Sequence, residues 1–334
     1  MSQWCDYLSF DIMSQTVFSG DYNLIGTPEN RGIMKAIEES NVRVGVLTQA
    51  PGLRRFGIDQ YLFKQSIIAR SVFLKFAKRM IGDRLKKMAD KNFATKDIFS
   101  FMSKVKDSTA TLSVKELSAE SITLIVAGSD TSSTTMAGLF YYLSRHPKSY
   151  ARVADEVRKT FNSIEDIKTG PLLNSCVYLR ACIDESMRMS PSVVTVLWRE
   201  VLEGGAKIDG KLIPAGVDVG TSVYSIHHNH KYFPDPFQFR PERWLPDENP
   251  LGASGVELAR AAHNPFSFGP RSCIGKGMAL HEILLTIPMI LWQFDFEAVD
   301  SPGMVKGSSP EEFVLGDHIS SSKGEVGVRF RIRR

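Results

Sequence analysis

Between the stretch LSVKEL and Pro147 the chain offers no helix breaker apart from Gly128 and Gly138. Ser113 and Glu116 stand three apart at the start of this run. That is the spacing of a capping box, in which each side chain accepts the other residue's otherwise unpaired backbone N–H. A helix opened there runs for roughly thirty residues, and at about 1.5 Å per residue it is about 45 Å long, enough to cross an entire domain. Most helices are far shorter. This one therefore passes through the core, and the rest of the chain packs around it.

Other segments carry the same period. Apolar residues recur at helical spacing through Trp4–Phe18, and Pro28–Leu47 and Gln60–Met88 read as amphipathic helices. Tyr150–Phe161 and Leu172–Met189 follow the long helix as two more. From Ser192 to Val223 the texture changes: Val193, Val194, Val196, Ile208, Ile213, Val217 and Val219 lie among GG, DG and PAG turns. That pattern predicts short strands and hairpins. A proline-rich, irregular stretch runs from Phe233 to Pro270, and a further helix starts after Cys273, where Pro288 predicts a kink or an early stop. In the tail VGVRFRIRR, Val328, Phe330 and Ile332 alternate with arginines, the period of a half-buried strand with a solvated charged face. No internal repeat, low-complexity segment or linker interrupts the chain. Residues 1–334 read as a single domain, mainly α with a small β portion.

Composition narrows the function classes. With 334 residues, 43% hydrophobic and 23% charged, the chain can bury a large core and is not disordered. Its net charge of +4 is spread along the sequence and makes no case for nucleic acid. Cys5, Cys176, Cys182 and Cys273 lack CxxC spacing, which argues against a disulfide framework or structural zinc. Met1–Gly20 carries Asp6 and Asp11 and does not read as a signal peptide. The most apolar run, Ile283–Trp292, is too short to span a bilayer.

Several motifs fail on inspection. GPRSCIGK has the wrong spacing for a phosphate loop, and Lys276 is followed by Gly277 instead of Ser or Thr. HEILL at His281 lacks the second histidine of a zinc protease, and no G-x-S-x-G elbow occurs. His227, His228 and His230 sit on an irregular segment with no evident carboxylate partner, which favours a solvated or hydrogen-bonded role over a metal site.

The stretch Asn264–Gly277, NPFSFGPRSCIGKG, is of another kind. A lone cysteine is most often an inert small apolar residue. Here Gly269 and Gly275 would let the backbone approach a large flat group closely. Phe266 supplies an aromatic wall, and Arg271 a planar cation suited to a carboxylate. A helix beginning after Cys273 would turn its positive end toward the sulfur and stabilise a thiolate. Together these features describe an axial ligand for haem iron, with Arg271 pairing a propionate.

FSFGPRSCIG resembles the cysteine-ligand loop of the cytochrome P450 family of haem-thiolate monooxygenases at Phe266, Gly269, Arg271, Cys273 and Gly275. Three more motifs stand in that family's order. AGSDTS, Ala127–Ser132, resembles the oxygen-activating groove of the central helix. The resemblance implies that Thr131 steadies dioxygen, that Asp130 helps relay protons and that Gly128 leaves room for oxygen and substrate. ESMR, with Glu185 and Arg188, and FRPERW, with Arg243, resemble the family's buried charge network, whose role is to lock the cysteine loop. Taken alone, an i,i+3 pair such as Glu185–Arg188 would be an ordinary surface ion pair. Arg199 lies where the family often places a second propionate-binding cation, and Ser192–Leu197 where it lines the substrate pocket.

The resemblance covers essentially the whole chain but starts late. Trp4–Tyr22 matches a helix from the middle of the family's N-terminal half, so the sequence reads as N-terminally truncated, without the membrane anchor and the first helices and strands. What the resemblance implies is a P450 fold lacking that part, with haem as cofactor and NADPH–cytochrome P450 reductase as electron donor. The reaction is insertion of one oxygen atom into a small apolar organic substrate. The texture is most like fungal members that oxidise secondary metabolites or xenobiotics. Full-length members sit on the cytosolic face of the endoplasmic reticulum membrane; without the anchor, a cytoplasmic or peripheral location is expected. Two alternatives are a catalytically inactive remnant and a haem-thiolate isomerase or dehydratase, although those branches usually lose the acid–hydroxyl pair that Asp130–Thr131 retains.

Overall fold

The computed structural model describes residues 1–89, 96–104, 106–107, 110–299 and 312–333. In chain order, α1 (Ser2–Phe18), α2 (Gly32–Gln49), α3 (Ile58–Leu62), α4 (Lys64–Ala89) and α5 (Ile98–Lys104) precede the long helix α6 (Val114–Arg145). After it come α7 (Pro147–Thr160), α8 (Pro171–Asn174), α9 (Val177–Met189), α10 (Val223–His227), α11 (Gly252–Ala262) and α12 (Lys276–Gln293). The strands are short: β1 (Lys106–Asp107), β2 (Ala110–Thr111), β3 (Arg199–Glu200), β4 (Ala206–Ile208), β5 (Lys211–Ile213), β6 (Asp218–Val219), β7 (Phe294–Ala298), β8 (Leu315–Gly316), β9 (Ser322–Lys323) and β10 (Val328–Ile332). They pair antiparallel as β1–β2, β3–β6, β4–β5, β7–β10 and β8–β9.

The 32-residue α6 begins on the capping box: Ser113 Oγ accepts the Glu116 N–H at 3.2 Å, and Glu116 Oε2 accepts the Ser113 N–H at 2.8 Å. From Ser132 to Leu143 every residue of α6 is buried, the mark of a helix enclosed on all sides. Two apolar clusters meet on it. One joins its first half, Leu117 and Ile125, to Phe10, Met13 and Phe18 of α1, Ile37 of α2 and Phe73 of α4. The other joins its second half, Met136 to Leu143, to Val153 of α7, Leu179 of α9 and Ile287 of α12.

Local chemistry accounts for several boundaries. Asp209 and Gly210, at φ 46° and 78°, make the tight turn between β4 and β5 that an Asp-Gly pair favours. Phe63 separates α3 from α4, and Ser175–Cys176 separates α8 from α9, so two segments read as continuous helices are each broken once. The stretch from Phe233 to Pro270 contains α11, whose Val256, Ala259 and Ala262 are buried. Ser192–Leu197 belongs to no strand.

Pro288 does not stop α12, which runs on to Gln293. The proline lies in the buried stripe with Ile283, Ile287 and Leu291, and that packing outweighs the hydrogen bond the ring removes. At the tail, Phe330 packs edge-on to Phe140 and Phe294, while Ile332 at the strand's end is exposed; Arg334 lies outside the described residues.

Candidate active site

The cysteine loop is held by its own backbone. The Cys273 N–H donates to the Phe266 carbonyl at 2.9 Å, Ser272 N–H to Gly269 at 3.0 Å, and Lys276 N–H to Cys273 at 3.4 Å. Gly269 has φ +69°, a left-handed conformation that glycine adopts without a Cβ penalty. α12 starts three residues after Cys273, and the N–H groups of its first turn have no helical partners. The loop's outer surface is open. Cys273 is exposed, as are Phe268 at 62% and Ile274 at 93%. A Cβ on Gly269 would meet nothing within 4 Å, and one on Gly275 only Cys273 Sγ at 3.8 Å. Phe266 is half-buried, with Lys276 Nζ 5.8 Å from its ring centre.

One soft sulfur donor, two glycines with empty space above them and two exposed apolar side chains fit a large flat metal-bearing macrocycle, as haem is. Arg271 and Arg199 are both exposed cations. Arg199 Nη1 rests on the carbonyls of Leu197 and Trp198 at 3.4 and 2.9 Å.

In the middle of α6, Thr123 and Ala127 are exposed and Thr131 is half-buried, three small residues at i,i+4 spacing along one strip. Thr131 Oγ1 donates to the Ala127 carbonyl at 2.7 Å. Ser192 Oγ donates to the Thr131 carbonyl at 2.9 Å and lies 2.9 Å from Thr135 Oγ1, which docks the Ser192–Leu197 segment on α6 beside Thr131. The β8–β9 turn closes the same corner: Thr195 Oγ1 donates to Asp317, and the Ser321 N–H to the Ser192 carbonyl at 2.8 Å. Val193, Val194 and Val196 are half-buried there, and Leu197 is exposed.

Gly128 points elsewhere. A Cβ on it would come within 2.5 Å of Met13 Sδ and Cε, so Gly128 faces the Met13 side chain of α1.

Asp130 is half-buried and ion-paired. Lys323 Nζ lies 3.8 Å from Asp130 Oδ1 and 2.5 Å from Asp6 Oδ1. Burial pushes the Asp130 carboxyl above its ordinary range, against the pull of Lys323. Burial would draw the Lys323 ammonium down, but Asp6 and Asp130 reverse this and hold it above its ordinary range.

Glu185, Arg188 and Arg243 form one fully enclosed cluster. Arg188 Nε and Nη2 donate to the two Glu185 oxygens at 3.0 Å each, and Arg243 Nε donates to Oε1 at 2.9 Å. The Arg240 N–H and Trp244 Nε1 add two more donors, both at 3.0 Å. Burial would raise the Glu185 carboxyl, but the two guanidinium groups overcome it and hold it below its ordinary range. The arginines' other donors go to carbonyls: Arg188 to His227 and Pro236, Arg243 to Pro234.

Sequence reasoning did not find Lys323, Asp6 or His227 as parts of these clusters, because each comes from a distant segment; Trp244 stood beside Arg243 in FRPERW and was given no role there. One signal was available: an acid in the middle of a core helix needs a partner. His228 does have a carboxylate, Glu312 Oε1 at 3.3 Å from its Nε2.

The chain's relatives are consistent among themselves. A profile of the cytochrome P450 family matches residues 1–317. The cytochrome P450 monooxygenase apf8 of Gibberella fujikuroi is 46% identical over all of this chain and 92% of its own length. The cytochrome P450 monooxygenase lcsN of Purpureocillium lilacinum is 44% identical over all of this chain and 99% of its own. The cytochrome P450 monooxygenase poxM of Penicillium oxalicum is 46% identical over 99% of this chain, which spans only 62% of that relative. Among solved structures, the cytochrome P450DA heme domain superposes with a TM-score of 0.75 at 19% identity, covering all of this chain and 68% of that one.

Proposed function

The chain belongs to the cytochrome P450 family, and on that premise we propose that it is a haem-thiolate monooxygenase acting on a small apolar organic molecule. Its electrons would come from NADPH–cytochrome P450 reductase. The observation that carries the reading is the Cys273 loop: an exposed thiol before α12, between two glycines with open space and two exposed apolar side chains.

Bound there, haem supplies the oxidising chemistry, the transfer of one atom of dioxygen to substrate while the other leaves as water. Cys273 would ligate its iron, and Phe266, Phe268 and Ile274 would give it apolar contact. Arg271 and Arg199 would hold its carboxylates. Thr131 Oγ1 already donates to a helix carbonyl, so its oxygen can accept a second hydrogen bond from the reacting side. Asp130, pushed toward its neutral form by burial, can hold a proton one residue away. Val193, Val194 and Val196 would exclude water and favour an apolar substrate. The Glu185–Arg188–Arg243 cluster takes no part in the chemistry; it holds the segments around the loop.

Two expectations about place accompany this. Among the described residues no helix is long and apolar enough to cross a membrane. The chain would meet its reductase at the cytosolic face of the endoplasmic reticulum as a peripheral protein, or in the cytoplasm.

An absorption spectrum of the expressed chain, reduced and then exposed to carbon monoxide, tests the assignment. The red-shifted band that gives the family its name is expected in the parent and lost in Cys273→Ala. No haem, or a band at the position of neutral-ligand haem, would instead make the chain an inactive remnant.

A further inference from the structure

A cavity of about 380 Å³ lies between α1, α2 and the β8–β9 turn, and Asp130 is what α6 contributes to its wall. The volume is that of a small-ligand or water-filled pocket. Its lining is unlike the apolar corner at Ser192–Leu197. Asp6 from α1, Glu38 from α2, and His318 and Lys323 from the β8–β9 segment all act on Asp130 or share its field. Arg31, Lys35 and Glu325 complete the charged part of the wall. Glu38 is exposed and so stands where the cavity meets solvent.

The inner end is a three-charge cluster with one ammonium for two carboxylates. The side chains of Lys323, Asp6 and Asp130 are only 8%, 17% and 16% exposed. Two carboxylates against one ammonium leave one negative charge unbalanced in a buried place, and a single proton neutralises it. Lys323 has three donors. Asp6 takes one at 2.5 Å and Ser133 Oγ another at 3.1 Å, while Asp130 at 3.8 Å stands just beyond hydrogen-bond reach. A small rotation of a flexible four-carbon stem would exchange Asp6 for Asp130.

We propose that Lys323 is a positioning residue that decides whether Asp130 carries a proton, by dividing its ammonium between Asp6 and Asp130, and that the cavity is the proton's way in from solvent. This deepens the reading of Asp130 as a proton carrier and rests on it. With Lys323 on Asp6, the protonated form of Asp130 is favoured. When Lys323 swings to Asp130, the carboxylate form is stabilised and the proton passes to cavity water. No bond other than O–H is made or broken, and no electron moves.

The test is a pH titration of the haem-loaded protein by difference infrared spectroscopy, with the Asp130 carboxyl stretch identified by its loss in Asp130→Asn. Lys323→Met should raise the pH at which that carboxyl ionises by about one unit or more, since an opposite charge at this range lowers a carboxylate's pKa by about that much. Lys323→Arg should stay near the parent. Asp6→Asn should move the titration the other way, because the ammonium then serves one carboxylate alone. A purely structural role would move Lys323→Met and Asp6→Asn in the same direction or neither, and either result overturns the proposal. Asp6→Asn keeps an ion pair in the cluster, so the question survives if Lys323→Met fails to fold. Access is read by mixing with deuterated water: Asn41→Phe, which fills the cavity, should slow exchange of the Asp130 proton, and unchanged exchange would refute the route. Absence of the carbon monoxide band would remove the monooxygenase reading, whereas the opposed carboxyl shifts stand or fall by themselves.

Discussion

His227 Nε2 accepts a hydrogen bond from the backbone N–H of Asn264 at 3.0 Å. The carbonyl of the same histidine accepts Arg188 Nη1 at 2.9 Å. One residue therefore touches both the buried charge cluster and the first residue of the cysteine stretch. To accept at Nε2 the imidazole must be neutral, with its proton on Nδ1. Protonation would turn an acceptor into a donor facing a donor.

That requirement sets an acid sensitivity. Burial, with Arg188 and His228 adding to it, pushes the His227 imidazole down to about 3, and burial holds His263, stacked on it with ring centres 5.2 Å apart, well below its ordinary range. In the unfolded chain such groups take up protons near 6.5. Between those values the unfolded state binds more protons, so stability falls as pH falls, by about 1.4 kcal/mol per pH unit for each fully buried histidine. Calorimetric melts from pH 7 downward should show this slope, and it should be shallower in His227→Gln. An equal slope in both proteins would contradict the assignment.

Glu185→Ala should leave two guanidinium groups buried without their anion and cost about 3–5 kcal/mol in a urea titration. Glu185→Gln keeps the shape and some of the hydrogen bonds and should lose less. Because the native Glu185 pKa is depressed, the cluster's contribution is present above the ordinary carboxylate range and is lost as pH drops below it. Glu185→Ala unfolding within about 1 kcal/mol of the parent would mean the cluster is not a unit.

Arg271→Ala and Arg199→Ala should each speed the transfer of haem to an acceptor such as apomyoglobin, while leaving the carbon monoxide band of the loaded fraction in place. Arg271, inside the loop, should have the larger effect. If neither variant changes the transfer rate, these cations do not hold the carboxylates.

Thr131→Ala removes a hydroxyl whose donor serves only the helix, so α6 should remain intact. With reductase and a turnover substrate, a larger share of electrons should appear as hydrogen peroxide, and Thr131→Ser should restore the parent ratio. Equal peroxide yields in all three proteins would take Thr131 out of the reaction.

The parts legible in sequence were those written in neighbouring residues. The capping box at Ser113–Glu116, the unbroken period up to Pro147, the Asp209–Gly210 turn and the Cys273 loop are each a local pattern with a local cause. Pro288 shows the limit of such reasoning. The local rule breaks a helix there, but the buried stripe it belongs to is assembled from other elements and keeps α12 going.

Sequence by itself determined the long core helix, the order of the motifs and the residue types around the cysteine, because backbone propensity and side-chain spacing act within a few turns. The tertiary structure alone decided which way Gly128 faces, which five donors surround Glu185, and that Asp130 shares its cation with Asp6. Lys323 and Ser133, in contact at 3.1 Å, are 190 positions apart. No local period encodes a contact at that separation. It exists because closing two apolar cores around α6 brings the β8–β9 segment onto the helix, and the buried charges there must then find each other or go unpaired.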